Sequence, residues 1–348
     1  MLEKHFTIND TNIVKGIAIV CMVVHHVFVN DAGLSILQPN GTDIYQIIGS
    51  ACKVCVALFT ILSGYGLCAS YKKFNNIKFK SVRFVISRYI KLLSIYWPIL
   101  LTSYLIILLF NGRGYFQILY SGNVPFVAQL IIDIFGLSKI FGTNSFIGGW
   151  FLTAIIIMYF IFPLVNYLIR RFKIIFVLIL YLPWVYYLIC NDITMKTDSV
   201  IFYLCDFALG IYLYEYNILD KLVSYRKRFM ILISLFIMFL AVFLRLIFTL
   251  PLDIFVAFSI ILVEIFAIRK INLLNDLLIL FGKNSANIWL LHSLITMLLI
   301  TYFSFSPVKL LLVALFLSLS VSLLVLNICK VFKIEQLFSL LRRPFERK

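Results

Sequence analysis

The stretch KGIAIVCMVVHHVFVN, from Lys15 to Asn30, is apolar enough to lie within a lipid bilayer, yet it contains one lysine and two adjacent histidines. Similar apolar runs recur along the 348 residues, of which 63% are hydrophobic and only 13% are charged. A soluble protein of this length cannot bury so much apolar surface. Since backbone polar groups in lipid must bond within their own segment, the sequence predicts an all-α, polytopic integral membrane protein.

The apolar runs divide into about ten predicted transmembrane helices. They cover residues 12–30, 44–69, 92–110, 147–168, 173–190, 199–216, 229–249, 252–268, 279–302 and 308–330. The stretch 124–141 is shorter and contains Asp133, so we expect an outer interfacial or re-entrant segment there. Residues 1–330 are therefore predicted to form one transmembrane domain. Residues 331–348 are predicted to form a basic amphipathic tail that lies on the inner leaflet.

Lysine and arginine residues are concentrated in alternate loops and in the tail. The formal net charge is +16, and these cations form short clusters between apolar segments, which argues against nucleic acid as a partner. Because cytoplasmic loops of membrane proteins carry an excess of lysine and arginine, both termini are predicted to be cytoplasmic. The Cys52–Cys55 pair is read as two small apolar side chains and not as a redox pair, and no metal is expected.

Lys15 and His26 are the first candidates for chemistry in the membrane. Eleven residues of α-helix return His26 to within roughly 20° of Lys15, about 16 Å further along the same face. His25 lies roughly 80° away, where we expect a hydrogen bond to a neighbouring helix. Two readings of the pair stay open: the two side chains line a cavity, or Lys15 extends to the headgroups and His26 is structural.

Five further ionisable residues lie in the apolar segments. Lys53 is near the middle of the second predicted span, so it either pairs with a carboxylate such as Asp206 or Glu264 or faces a water-filled cavity. Arg245 is expected to extend to the outer surface, and Glu264 to be solvated near the cytoplasmic end of its span. His292 lies in the ninth span.

Five stretches, in order along the chain, resemble the signature segments of one family. The first is the pair Lys15 and His26, which ten residues separate. The others are LFTILSGYGL (Leu58–Leu67), SRYIKLLSIYWPIL (Ser87–Leu100), GGWFLTAIIIMYFIFPL (Gly148–Leu164) and FGKNSANIWLLHSLI (Phe281–Ile295). Together they resemble the membrane-bound acyltransferase-3 family, bacterial enzymes that O-acylate surface glycans. The resemblance implies a multi-pass protein of the bacterial plasma membrane that uses acetyl-CoA or another acyl-CoA and an extracytoplasmic glycan acceptor.

The resemblance also implies a set of site residues. The catalytic pair would be His26, as general base or transient acyl carrier, and Lys15; histidine suits the role because its pKa lies near neutrality. Coenzyme phosphates would be held by Arg83, Arg88 and Lys91, although these cations are also ordinary topology signals. The residues expected to line the substrate path are Lys53, Ser63, Trp150, Tyr159, Ser285 and His292.

A second function class is compatible with the same residues. A transporter or flippase for an anionic or lipid-linked substrate would use Lys53, Arg245 and His26 along its path. The sequence shows no convincing internal repeat, which is the usual mark of such transporters. A structural membrane subunit is a third reading, but it leaves Lys53 and His26 without a role. Release of free thiol from acetyl-CoA would distinguish an acyltransferase from a transporter or a structural subunit. The sequence does not indicate the oligomeric state.

Overall fold

The computed structural model describes residues 5–29, 44–74, 79–110, 124–145, 147–190, 199–225, 229–248 and 250–346, and these residues contain helices and no strand. The predicted all-α fold class is confirmed. The helices are α1 (Ile8–Val29), α2 (Ile44–Ala51), α3 (Cys55–Lys72), α4 (Lys80–Phe110), α5 (Phe126–Ile134), α6 (Gly149–Phe172), α7 (Ile174–Cys190), α8 (Val200–Glu215), α9 (Ile218–Ser224), α10 (Phe229–Phe248), α11 (Asp253–Phe266), α12 (Asn272–Lys283), α13 (Ser285–Tyr302), α14 (Pro307–Val331) and α15 (Ile334–Glu346).

Seven helical segments among the described residues are long and apolar enough to cross a membrane. They are α1, the run from α2 through the 3₁₀ turn Cys52–Val54 to α3, and α4, α6, α10, α13 and α14. The other three predicted spans also fall on helices, α7, α8 and α11, with 17, 16 and 14 residues. The exact count of ten crossings and the cytoplasmic side of the termini stay predictions.

The basic segment before the third predicted span is part of α4 and not of a loop. That span was expected to begin at residue 92, whereas α4 begins at Lys80 and has 31 residues. Apolarity alone therefore misplaces its start, since lysine and arginine are good helix formers and Phe84 and Val85 are buried within this basic part. Among the basic residues assigned to loops or tail, Lys78, Arg113, Lys196, Arg226, Lys227, Arg228, Arg347 and Lys348 lie outside the described residues.

The ninth predicted span begins too early. Asn284 separates α12 from α13, and its side-chain Nδ2 donates a hydrogen bond to the Leu280 carbonyl at 2.8 Å. Since this bond occupies one of the last carbonyls of α12, the helix ends there. Residues 279–283 consequently belong to α12, and the span itself begins at Ser285.

The chain divides into two compact units. The first contains residues 1–70, 164–285 and 304–313, and the second contains residues 71–163, 286–303 and 314–348. The boundary passes within α3, α6, α13 and α14. The predicted division into a domain over 1–330 and a tail over 331–348 stays a prediction.

Small residues let the helices of the first unit approach closely. A side chain at Gly16 of α1 would collide with the Leu278 backbone of α12, and one at Gly282 of α12 would collide with the Asn12 backbone of α1. Gly64 of α3 meets the backbone of α8 in the same way. Such contacts are the usual means of packing membrane helices, and here they fix α1 against α12.

In the second unit, the short helix α5 ends beside the middle of α4. Tyr96 donates its hydroxyl to the Asp133 carbonyl at 2.9 Å, and Trp97 donates its indole N–H to the Ile134 carbonyl at 2.9 Å. Tyr89, nearer the start of α4, donates to the Phe135 carbonyl at 2.8 Å. These bonds place the end of α5 well inside the length of α4, and the outer interfacial and re-entrant readings of this segment both stay predictions.

Candidate active site

Helix α1 gives its two adjacent histidines different surroundings. The Nδ1–H of His25 donates to the Gly49 carbonyl of α2, with 2.8 Å between the two atoms. This confirms the expected bond from His25 to a neighbouring helix. The His26 ring lies 5.2 Å from the His25 ring, nearly edge to face, and the residue is half-buried. The bond at His25 therefore fixes the part of α1 from which His26 extends.

Lys15 and His26 are both partly exposed, as a reactive pair requires. Met22 lies between them on the same face of α1 and is 4% exposed. The face is thus covered between the two residues, and each reaches the surface of α1 separately. Lys15 and His26 therefore lie on the same face of α1, as the sequence predicts, but the buried Met22 interrupts the accessible surface between them.

Lys53 lies in the 3₁₀ turn Cys52–Val54, which packs against α1 and α11. Asp253, the first residue of α11, is near enough for its charge to interact with that of Lys53. The Cys52 thiol lies near enough to the Cys21 thiol of α1 for the two groups to interact. The turn therefore brings a cation and one thiol to the half of α1 that carries Cys21 and His26.

Arg245 forms a buried ion pair, which corrects one expectation. Its Nε lies 2.8 Å from Asp253 Oδ1, and the two side chains are 6% and 5% exposed. The arginine therefore turns inward to a carboxylate and does not extend to the outer surface. Glu264 is 0% exposed, so its expected solvation is also wrong. Asp253 was missed in the sequence, although it lies only eight residues after Arg245 across the α10–α11 turn.

In the second unit, the three expected phosphate-binding cations lie on the part of α4 that α15 covers. Lys91 lines a cavity of about 160 Å³ together with Glu335 and Arg342 of α15. Arg83 lines a second groove, next to Pro344 and Phe345 of the same helix. The structure thus joins these cations to a helix that the sequence pattern had assigned to the membrane surface.

Arg88 and Tyr159 are brought together from separate helices. Arg88 of α4 stacks its guanidinium over the Phe84 ring at 5.2 Å, and its charge interacts with the Tyr159 hydroxyl of α6. Its Nε is buried and has no hydrogen-bond partner among the described residues. Two residues expected in the site from different parts of the sequence therefore share one location.

The other expected path residues are engaged close to their own helices. Ser63 donates its hydroxyl to the Phe59 carbonyl at 2.7 Å, and Ser285 is buried at the start of α13. His292 is 2% exposed; its Nδ1–H donates to the Trp289 carbonyl at 2.6 Å, and its Nε2 accepts from the Ser293 hydroxyl at 3.2 Å.

Trp150 is half-buried near the start of α6, directly after two glycines with positive φ angles. Lys15, His26, Lys53, Ser63 and Ser285 belong to the first unit. Arg83, Arg88, Lys91, Trp150, Tyr159 and His292 belong to the second. The roles of all eleven residues stay predictions.

Comparison with known families decides the class of protein. Residues 8–327 match the family model Acyltransferase domain of the acyltransferase-3 family, which covers α1 through most of α14. The chain belongs to the acyltransferase-3 family. No curated protein and no solved structure matches it. Family membership supports a membrane-bound acyltransferase over a transporter, and helix α15 lies outside the matched residues.

Proposed function

We propose that this acyltransferase-3 protein is an O-acyltransferase of the bacterial plasma membrane. It transfers an acyl group, with acetyl as the simplest case, from cytoplasmic acyl-CoA to a hydroxyl of a cell-surface polysaccharide or other extracytoplasmic glycan. The observation that carries this proposal is the division of roles on α1, within the family match. His25 is held by the Gly49 carbonyl, while the neighbouring His26 is half-buried and lies on the same helical face as Lys15.

The reaction assigns one proton transfer to His26. Its imidazole accepts the proton of the glycan hydroxyl while the hydroxyl oxygen attacks the thioester carbon. The carbon–oxygen bond forms and the carbon–sulfur bond breaks, and the coenzyme thiolate then takes the proton from the imidazolium. In the alternative order the acyl group first bonds to His26 and is then passed to the hydroxyl.

Cations on the donor side would bind the coenzyme. Phosphates are bound well by arginine, whose planar group offers several N–H donors, and Lys adds charge. Arg83, Arg88 and Lys91 follow one another on α4, and the buried, unengaged Nε of Arg88 among the described residues supports this role.

The first experiment compares His26→Ala with His25→Ala in cells that express each variant. The O-acyl content of the surface polysaccharide is measured by NMR, and membrane insertion is checked by immunoblotting of membranes. We expect a loss of about 100-fold or more for His26→Ala, because a general base contributes that much. His25→Ala removes one hydrogen bond, worth about 1 kcal/mol, and should retain most activity. Normal O-acylation in the His26 variant would refute the site.

The second experiment tests the donor. Purified protein in detergent is mixed with acetyl-CoA and a glycan acceptor, and free thiol is measured. We expect thiol release from the wild-type chain and weaker donor binding by Arg88→Ala. The control is Arg171→Ala, which removes an exposed cation outside the α4 cluster. Absence of thiol release with every acceptor and acyl-CoA would contradict the donor assignment.

A further inference from the structure

Helix α15 packs lengthwise along α4, in the opposite direction. Near its end, Glu346 accepts a hydrogen bond from the Ser87 hydroxyl at 2.6 Å. Near its middle, the buried Phe338 ring packs edge to face on Trp97, with 5.4 Å between the ring centres. The expected amphipathic helix is therefore present, but part of its apolar face is covered by α4.

The two helices enclose a polar cavity. Its volume is about 160 Å³, and its polar lining includes Lys91 and Ser94 of α4, Asn287 of α13, and Glu335 and Arg342 of α15. A single water molecule needs about 10–15 Å³ of such space, so the cavity has room for several waters or for a phosphate group. Its lysine, arginine and amide groups are hydrogen-bond donors that suit phosphate oxygens.

Positive charge at this place exceeds what the surrounding carboxylates balance. Arg88, Lys91 and Arg342 interact electrostatically with one another. The carboxylates of Glu335 and Glu346 oppose these three cations. Glu346 Oε1 lies 3.6 Å from Arg342 Nη1. Three cations against two anions leave one positive charge in a partly buried cluster, which favours an added anion.

Two guanidinium N–H groups in the cluster are also without an acceptor. The Nε atoms of Arg88 and Arg342 are buried, and within the part of the chain that the structure describes neither has a hydrogen-bond partner. A buried donor without an acceptor costs about 1–3 kcal/mol, so an added acceptor that reached either N–H group would stabilise the cluster. Geometry and charge therefore indicate the same kind of ligand.

We propose that α15 supplies Arg342 to a phosphate-binding site that it shares with Lys91 of α4, with the charge of Arg88 nearby, and that this site holds a phosphate group of the acyl-CoA donor. The choice of donor rests on the proposed function. The residues of α15 lie outside the family match. Glu335, on the same cavity, neutralises part of the charge while the site is empty.

The test measures coenzyme A affinity of the full-length chain in detergent by isothermal titration calorimetry. Arg342→Ala is compared with Arg343→Ala, because Arg343 is exposed and does not line the cavity. We expect the first variant to bind coenzyme A about tenfold or more weakly and the second to bind as the wild type does. Arg342→Lys should fall between them, since lysine keeps the charge but loses the planar donor group. Melting temperatures of the variants show that each is folded.

The outcomes separate this inference from the proposed function. Equal coenzyme A affinities of the two alanine variants overturn the role of Arg342 but leave the donor assignment intact. If the wild-type chain binds no coenzyme A, the assignment of acyl-CoA as the donor is wrong. Titration with inorganic phosphate then decides whether the cavity binds an anion at all. Competition by phosphatidylglycerol nanodiscs, but not by phosphatidylcholine nanodiscs, would assign the phosphate to a lipid and overturn the donor assignment.

Discussion

The buried ion pair between Arg245 and Asp253 gives the sharpest test of the fold. Replacing either residue by alanine leaves the other charge buried, because both side chains are at least nine-tenths covered. Breaking such a pair costs about 3–5 kcal/mol. Asp253→Ala should be the more damaging variant, since the Asp253 carboxylate interacts with both Arg245 and Lys53, and its loss leaves two cations without it.

An ion pair of the same length whose arginine is exposed serves as the control. Arg170 Nη2 lies 2.8 Å from Glu215 Oε1; the arginine side chain is 50% exposed and that of Glu215 is 11% exposed. Pairs of this kind contribute about 0–1 kcal/mol. The difference between the two arginine variants therefore measures burial and not distance. An apolar pair, Arg245→Met with Asp253→Leu, should be far less damaging than either alanine variant.

The assay is thermal unfolding of each purified variant in one detergent, supported by urea titration where refolding is reversible. We expect the melting temperature to fall several times further for Arg245→Ala than for Arg170→Ala. Equal shifts in the two variants would show that the Arg245–Asp253 pair is solvated. If the apolar pair were as damaging as the single variants, the argument from a buried uncompensated charge would be wrong.

Three further predictions follow from packing. Gly282→Ala should destabilise by about 1–3 kcal/mol because its side chain meets the backbone of α1, whereas Gly66→Ala, which meets open space in a helix, should be neutral or stabilising; melting temperatures compare them. Asp133→Ala should lower the melting temperature more than Asp133→Asn, since the buried carboxylate accepts bonds from three hydroxyl groups and the amide keeps one acceptor oxygen. Phe338→Asp should release α15 and speed its cleavage by trypsin, while Leu340→Asp, at a half-exposed position, should not.

Helix positions were largely predictable from the sequence because a segment that crosses the hydrocarbon layer must be a long run of apolar residues in a helix. Each predicted span falls on a helix, and the tail forms the expected amphipathic helix. The start of α4 was not predictable from apolarity, because its basic part is stabilised by contacts with α15 near the other end of the sequence. The Ser87–Glu346 bond joins residues whose proximity no local pattern indicates.

The candidate site was predictable in its residue types but not in its connections. His25 and His26 were assigned different surroundings from their helical angles, and the bond at His25 confirms its part. The partner of Arg245 could not be predicted from the sequence. Its position near a helix end allowed its side chain to extend to the outer surface, and only the packed structure shows that it pairs with Asp253. The tail that carries Arg342 was predicted to lie on the inner leaflet, because the sequence does not reveal whether lipid or protein covers it.

The length of α4 has a consequence for its basic end. Its 31 residues extend about 46 Å, whereas the hydrocarbon layer is about 30 Å thick, so its charged first turns stand clear of the lipid. Because one continuous helix carries both Arg83 and Trp97, the angle between these two side chains around the helix axis is fixed. A single residue inserted between Lys91 and Trp97 would rotate the cations by about 100° relative to the aromatic contact, so the two could not both keep their present contacts with α15.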